Sequence, residues 1–166
     1  MPVARLKEYL NNNDVRYTIV LHPTAYTSAA VGAVTHTPGK EIAKAVVVTV
    51  DGVLAMVVIP GSKHVNLRAL KSALGADEVA IAAEPDFAHV FPDCEVGAMP
   101  PFGNLYDLPV YVDEALTRDE EISFNAGTHR EMMRLAYKDF NRLVKPQVVH
   151  VAAPIDQEDR ALAWNL

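Results

Sequence analysis

Two runs of apolar residues, KAVVVTV and VLAMVVI, stand on either side of Asp51-Gly52, and nothing else in the chain constrains the fold so tightly. Asp-Gly is a two-residue turn signal, because a tight hairpin turn asks both central residues for positive φ. The flanking runs are rich in β-branched residues and lack the polar alternation of a half-exposed strand. They predict two adjacent antiparallel strands in the middle of a sheet covered on both faces. Pro60-Gly61 ends the second strand.

The covering elements are readable around this hairpin. VARLKEYLNNN places Val3, Leu6, Tyr9 and Leu10 at helical spacing, and Asn11 to Asp14 end it. VRYTIVLH alternates and reads as a strand. Thr27 or Ser28 is placed to cap a short helix, AAVGAVTH, which Pro38-Gly39 stops. VNLRALKSALG is an amphipathic helix with Leu67, Leu70 and Leu74 on one side and Gly75 as its stop. EVAIAA predicts a short strand, EPDFAHVF a short helix, and CEVGAMPPFGN a loop. LPVYVDE predicts a strand, EISFNAGTHREMMRLAY two strands around Asn125-Ala126-Gly127, and YKDFNRLVK a closing helix. Helices interleaved with hairpins predict an α+β domain with a mixed, mostly antiparallel, barrel-like sheet and surrounding helices. From Pro146 to Leu166 no pattern is coherent. VVHVA is a candidate added strand, one able to mediate a dimer at a sheet edge, and IDQEDR reads as a solvated tail.

Composition removes several classes of function. A chain of 166 residues suits one domain with a core of its own. Cys94 is the only cysteine, so no internal disulfide or cysteine-built zinc cluster is available, and no motif around it activates a thiolate. No 18-residue apolar run occurs, and MPVARLKEYL lacks a signal-peptide core, so a soluble cytoplasmic protein without a membrane partner is expected. Lys plus Arg number 15 against 21 Asp plus Glu, a net charge of −6. That argues against a general nucleic-acid coat, which works by neutralising phosphates, but leaves room for a pocket that takes a few nucleotides.

Three places can carry chemistry. Lys44 enters the first apolar run; its ammonium is either a fixed cation for an oxyanion or phosphate, or the tip of a stem that covers the sheet edge. Gly97-Ala98-Met99-Pro100-Pro101-Phe102-Gly103 is stiffened by two prolines and opened by two glycines, which suits backbone amides that meet an oxyanion, or simply a sharp turn. Phe124 to His129 is a tight turn with Thr128 and His129 at its exit, where histidine is either a proton carrier or a hydrogen-bonded surface residue. Tyr26-Thr27-Ser28 offers hydroxyls whose simplest role is capping. His22, His36, His64, His89 and His150 show no metal-ligand spacing, and no phosphate loop, dinucleotide fingerprint or nucleophile elbow is present.

Taken in order, these pieces resemble the YbaK/ProX family of prolyl-tRNA synthetase-associated editing domains. The matching segments are His22-Pro-Thr-Ala-Tyr-Thr-Ser and Thr35-His-Thr-Pro-Gly-Lys-Glu-Ile-Ala-Lys44. The hairpin, VIPGSKHVNLRALKSALGA, GAMPPFG, LPVYVDE and FNAGTH follow. The resemblance spans residues 1–145 as an editing domain and leaves 146–166 as a C-terminal extension of undefined structure. It implies a trans-acting hydrolase that deacylates mischarged aminoacyl-tRNA, Ala- or Cys-tRNA-Pro above all, with no metal or organic cofactor. It assigns catalytic roles to Lys44, Gly97, Pro101 and His129. It places His22, Thr24, Tyr26, Ser28, Phe102, Gly103, Gly127 and Thr128 at the substrate. Histidine at 129 resembles the alanine-editing branch, whereas Ala45 stands where some alanine-specific members carry asparagine. The implied partners are the acceptor end of the tRNA and a prolyl-tRNA synthetase or elongation factor that carries it, with the protein a monomer or homodimer. Lys40, Lys44, Lys63, Arg68 and Lys71 form either a basic patch for the tRNA or a solvated helix face. Two rival readings accompany this one: a non-catalytic module that binds an aminoacyl-adenosine-like ligand or a protein partner, and a hydrolase of some other small acyl ester.

Overall fold

A computed structural model describes residues 3–155. The hairpin is its centre. Strands β2 (Ala43–Val50) and β3 (Val53–Pro60) pair antiparallel over their full length, from Ala43 opposite Pro60 to Val50 opposite Val53. Asp51 and Gly52 have φ of 50° and 82°, the double positive that a type I′ turn requires.

Both faces of the hairpin are covered, which is why its sequence does not alternate. Ala43, Val47, Met56 and Val58 enter the larger core, together with Leu6 and Leu10 of helix α1 (Ala4–Asn12). Val48, Ala55, Val57 and Ile59 face a second core closed by Leu70 of helix α3 (Leu67–Leu74). Asn66 caps α3 by accepting from the Ala69 N–H, and Gly75 ends it at φ 61°. Leu70 is buried completely, Leu74 packs at the border of the second core, and Leu67 stays outside it.

The remaining elements are β1 (Tyr17–Leu21), α2 (Ser28–Thr35), β4 (Lys63–Val65), β5 (Val79–Ile81), α4 (Glu84–Phe87), β6 (Val110–Asp113), β7 (Glu121–Asn125), β8 (Glu131–Ala136), α5 (Tyr137–Val144), β9 (Gln147–Val149) and β10 (Ala152–Pro154). The largest sheet has the order β5-β2-β3-β6-β9; a second has β1-β8-β7 and a third β10-β4. β3–β6 and β6–β9 are parallel and the other pairings antiparallel. The expected α+β class with a mixed, mostly antiparallel sheet therefore stands. The barrel-like curvature is only partial: Ile42 and Ser123 make one parallel bridge between the two larger sheets, and among the described residues no barrel closes.

Residues after Pro146 depart from the expectation of no coherent pattern. VVHVA is split: β9 extends the large sheet beside β6, and β10 pairs with β4. The cause is remote in sequence. Buried Asp113, at the end of β6, accepts hydrogen bonds from the Val151 and Ala152 amides, both at 2.8 Å, and from the Ala115 amide at 3.0 Å. The acidic stretch from Asp156 onward lies outside the described residues.

Cys94 sits in a polar knot rather than a reactive pocket. Its Sγ lies 3.5 Å from the Tyr106 hydroxyl, which donates to Asp93 at 3.0 Å. Burial pushes the thiol up to about 11. Thiolate is the reactive form, so Cys94 should alkylate with iodoacetamide at pH 8 about tenfold slower in the native protein than in urea, after the higher nucleophilicity of a more basic thiolate is allowed for. Equal rates would mean that the thiol is not held in this knot.

Candidate active site

Segments that are distant in sequence converge on the turn between β7 and β8. Gly127 is the pivot. Its φ of 104° is a conformation that side chains avoid, and a Cβ there would collide with the Val3 side chain. Its N–H donates to the Ala98 carbonyl at 2.9 Å, and its carbonyl accepts from the Glu95 N–H at 2.8 Å. This two-way bond fixes the Gly97 loop against the histidine turn. The 22–26 segment docks on the other flank: the His22 N–H donates to the Arg130 carbonyl at 2.9 Å and the Ala25 N–H to the His129 carbonyl at 3.0 Å.

His129 is the middle of this arrangement and is 7% exposed. Its Nε2 lies 2.9 Å from the Val96 carbonyl. A carbonyl only accepts, so Nε2 carries the hydrogen and the neutral ring keeps its lone pair on Nδ1. That Nδ1 is buried without a hydrogen-bond partner. The Glu95 carboxylate stands 4.0 Å from Nε2 and accepts from the His129 backbone N–H at 3.4 Å. The Tyr26 ring packs on the imidazole with centroids 4.8 Å apart. Gly97, at φ 85°, faces the same imidazole, and a Cβ on it would lie 3.5 Å from His129 Cε1. The Gly97 N–H points at the Met99 thioether, 3.2 Å away, a weak acceptor that an oxyanion outcompetes.

Lys44 stands on the face of β2 that carries Val46 and Val48, opposite Ile59. Its Nζ donates to the Lys63 carbonyl at 2.9 Å, and burial lowers its pKa. The 22–28 segment reaches from one part of the site to the other. Tyr26 lies on His129, while the Ser28 side chain borders Gly61 and Ile42, two residues before Lys44. Thr27, not Ser28, caps α2 by accepting from the Ala30 N–H. Thr24 is exposed.

His22 and Thr128 have a setting of their own. With Leu21, Arg130 and Glu131 they line a cavity of about 260 Å³ beside the His129 turn. His22 Nδ1 donates to the Pro23 carbonyl at 2.7 Å, and its buried Nε2 has no hydrogen-bond partner.

Two residues expected at the substrate lie elsewhere. Phe102 is fully buried among Tyr9, Phe124 and Phe140. Gly103 is a packing glycine, since a Cβ there would stand 2.8 Å from a Val110 methyl and 3.3 Å from Met56 Cβ. Pro101 is buried too and stiffens the loop from behind. The loop thus offers its Gly97 end to the site and spends its Phe102 end on the core. Sequence reasoning missed Glu95 and the Val96 carbonyl, whose only signal was adjacency to Gly97. Among the described residues, no group of three or more His, Cys, Asp or Glu is arranged to hold a metal ion. Nor is any described helix long and apolar enough to cross a membrane.

The structure thus sets His129 against Gly97 and Tyr26 on a mixed-sheet α+β domain, with Lys44 half-buried on the central hairpin. The chain belongs to the aminoacyl-tRNA editing domain family, which matches residues 22–143, and its enzyme class is aminoacyl-tRNA deacylase. The multifunctional Ser/Thr-tRNA deacylase ProXp-y of Escherichia coli K12 is 29% identical over 153 residues, which cover 88% of this chain and 90% of the relative. Two solved structures share the fold. Protein APE2540 superposes with a TM-score of 0.81 at 19% identity, over 90% of this chain and 99% of its own. A candidate trans-editing enzyme for prolyl-tRNA synthetase superposes at 0.78 and 20% identity, over 91% of this chain and 96% of its own.

Proposed function

We propose that this protein acts in trans on aminoacyl-tRNA carrying a small side chain, with Ala- and Cys-tRNA-Pro as the first candidates. The Escherichia coli relative is named for Ser- and Thr-tRNA, so hydroxylated side chains of similar size belong to the same proposal. The observation that carries the reading is the packing of His129 between Tyr26, 4.8 Å away by ring centroids, and Gly97, where even a Cβ would stand 3.5 Å from Cε1. A cramped site admits small side chains and turns away proline, which is the discrimination a second sieve has to supply.

An aminoacyl ester is already activated, so positioning and charge stabilisation suffice. In our reading, water, positioned by the site or by a group of the substrate itself, attacks the ester carbonyl. The developing oxyanion takes the Gly97 N–H from the Met99 thioether. The carbonyl carbon–oxygen bond to the ribose breaks, the ribose oxygen gains a proton, and the free amino acid leaves. His129 lines the side-chain pocket or orients the water, and Lys44 holds the terminal phosphate or the oxyanion. A synthetase or elongation factor that already carries the tRNA would raise the efficiency of a protein with an acidic surface without being required for hydrolysis, and such a function belongs in the cytoplasm. The test is a panel of Ala-, Cys-, Ser-, Thr- and Pro-tRNA-Pro. The proposal expects rapid hydrolysis of one or more small mischarged species with Pro-tRNA-Pro spared; hydrolysis of Pro-tRNA-Pro at the same rate would defeat it.

A further inference from the structure

We infer that Tyr26 is the stacking platform for the 3′-terminal adenine of the bound tRNA, a role that rests on the deacylase reading above. Tyr26 is 73% exposed, and the other large exposed apolar side chains among the described residues are aliphatic. The Tyr26 backbone is nevertheless fixed on both sides: the Ala25 N–H is bonded to the His129 carbonyl, and Thr27 caps α2. One side of the ring rests on the His129 imidazole at 54°, which leaves the rest of its surface to solvent. Val96, whose carbonyl holds His129, is exposed as well.

Charge points the same way. With a net charge of −6 the protein gains little from neutralising a phosphate backbone. Stacking supplies affinity without basic residues and without reading sequence, since every base has a π-face. Every mature tRNA ends in the same adenosine, and the ester sits on the ribose of that nucleoside. A base seated on Tyr26 therefore brings the ester to the residues that touch Tyr26, namely His129 and, against it, Gly97. The competing role is a plain cover for His129, in which case the base is irrelevant.

Two stable probes separate these roles: 3′-deoxy-3′-alanylamino-adenosine, and the same alanylamino sugar without a base. Each is titrated by calorimetry into wild type, Tyr26→Phe and Tyr26→Ala. In wild type and Tyr26→Phe the base should tighten binding about tenfold or more. In Tyr26→Ala that gain should vanish and the two probes should bind alike. No gain from the base in wild type, a gain that survives in Tyr26→Ala, or equal weakening of both probes would overturn the platform. Paired with a deacylation assay, the titration keeps the two ideas apart. Hydrolysis with a base gain independent of Tyr26 removes the platform and leaves the deacylase. A Tyr26-dependent gain without hydrolysis of any charged tRNA keeps the platform and removes the deacylase.

Discussion

Lys44→Met should lower single-turnover hydrolysis of a small-side-chain aminoacyl-tRNA by about 10²- to 10³-fold, the usual cost of deleting one preorganised group that meets developing charge. The fold should be little affected. Methionine keeps the apolar stem that covers the sheet, and the one hydrogen bond lost is that to the Lys63 carbonyl. Removing a half-buried ammonium offsets that loss, so stability should stay within about 1 kcal/mol of wild type. A pH signature accompanies the change. Burial lowers the Lys44 pKa below its ordinary 10.5. Between the lowered value and 10.5 the unfolded chain binds more protons at this site than the folded one. The Lys44 contribution therefore makes stability rise with pH across that window. Urea denaturation of wild type and Lys44→Met from pH 8 to 10.5 should show the difference between them moving in favour of wild type as pH rises. An unchanged hydrolysis rate would remove Lys44 from the site, and a flat difference would mean that its ammonium is solvated.

Asp113→Ala should be the most damaging single change to the fold. Its carboxylate is 2% exposed and accepts three backbone amides, those of Val151, Ala152 and Ala115. Alanine strands all three donors, and the expected loss is about 3 to 5 kcal/mol. Asparagine retains one oxygen and should fall in between. Hydrogen exchange at the Val151 and Ala152 amides should accelerate in both variants before the rest of the large sheet responds. A loss under about 1 kcal/mol would show that β9 and β10 are held by their strand pairing alone.

Asp113 also marks the line between what local sequence discloses and what it cannot. The central hairpin, the capped α3 and the Gly75 stop are written in neighbouring residues, because turn φ angles, caps and periodicity are local properties. β9 and β10 are not, because their anchor lies 38 or more residues earlier. The same limit applied to the loop after Cys94. Proline and glycine announced a stiff turn, but whether Phe102 and Gly103 faced a ligand or the core depended on Met56, Val110 and Phe140, which no local pattern reveals. For the site, residue spacing supplied candidates with an ordinary alternative beside each. The ordered resemblance joined them, and the fold brought His129, Gly97 and Tyr26 together while moving Phe102 and Gly103 away. Glu95 and the Val96 carbonyl became visible only in three dimensions, since what brings them to His129 is a hydrogen bond to the Val96 carbonyl and a 4.0 Å approach of the Glu95 carboxylate.

These segments are expected to form one ester-hydrolysing centre that works on charged tRNA without a synthetase present. The direct measurement is the time course of amino-acid release from Ala-tRNA-Pro and Ser-tRNA incubated with the purified protein alone, beside a small alanyl ester. Release well above the spontaneous rate is expected from at least one charged tRNA, with the small ester left far behind. Release at the spontaneous rate from both tRNAs, or equal turnover of the small ester, would contradict that expectation.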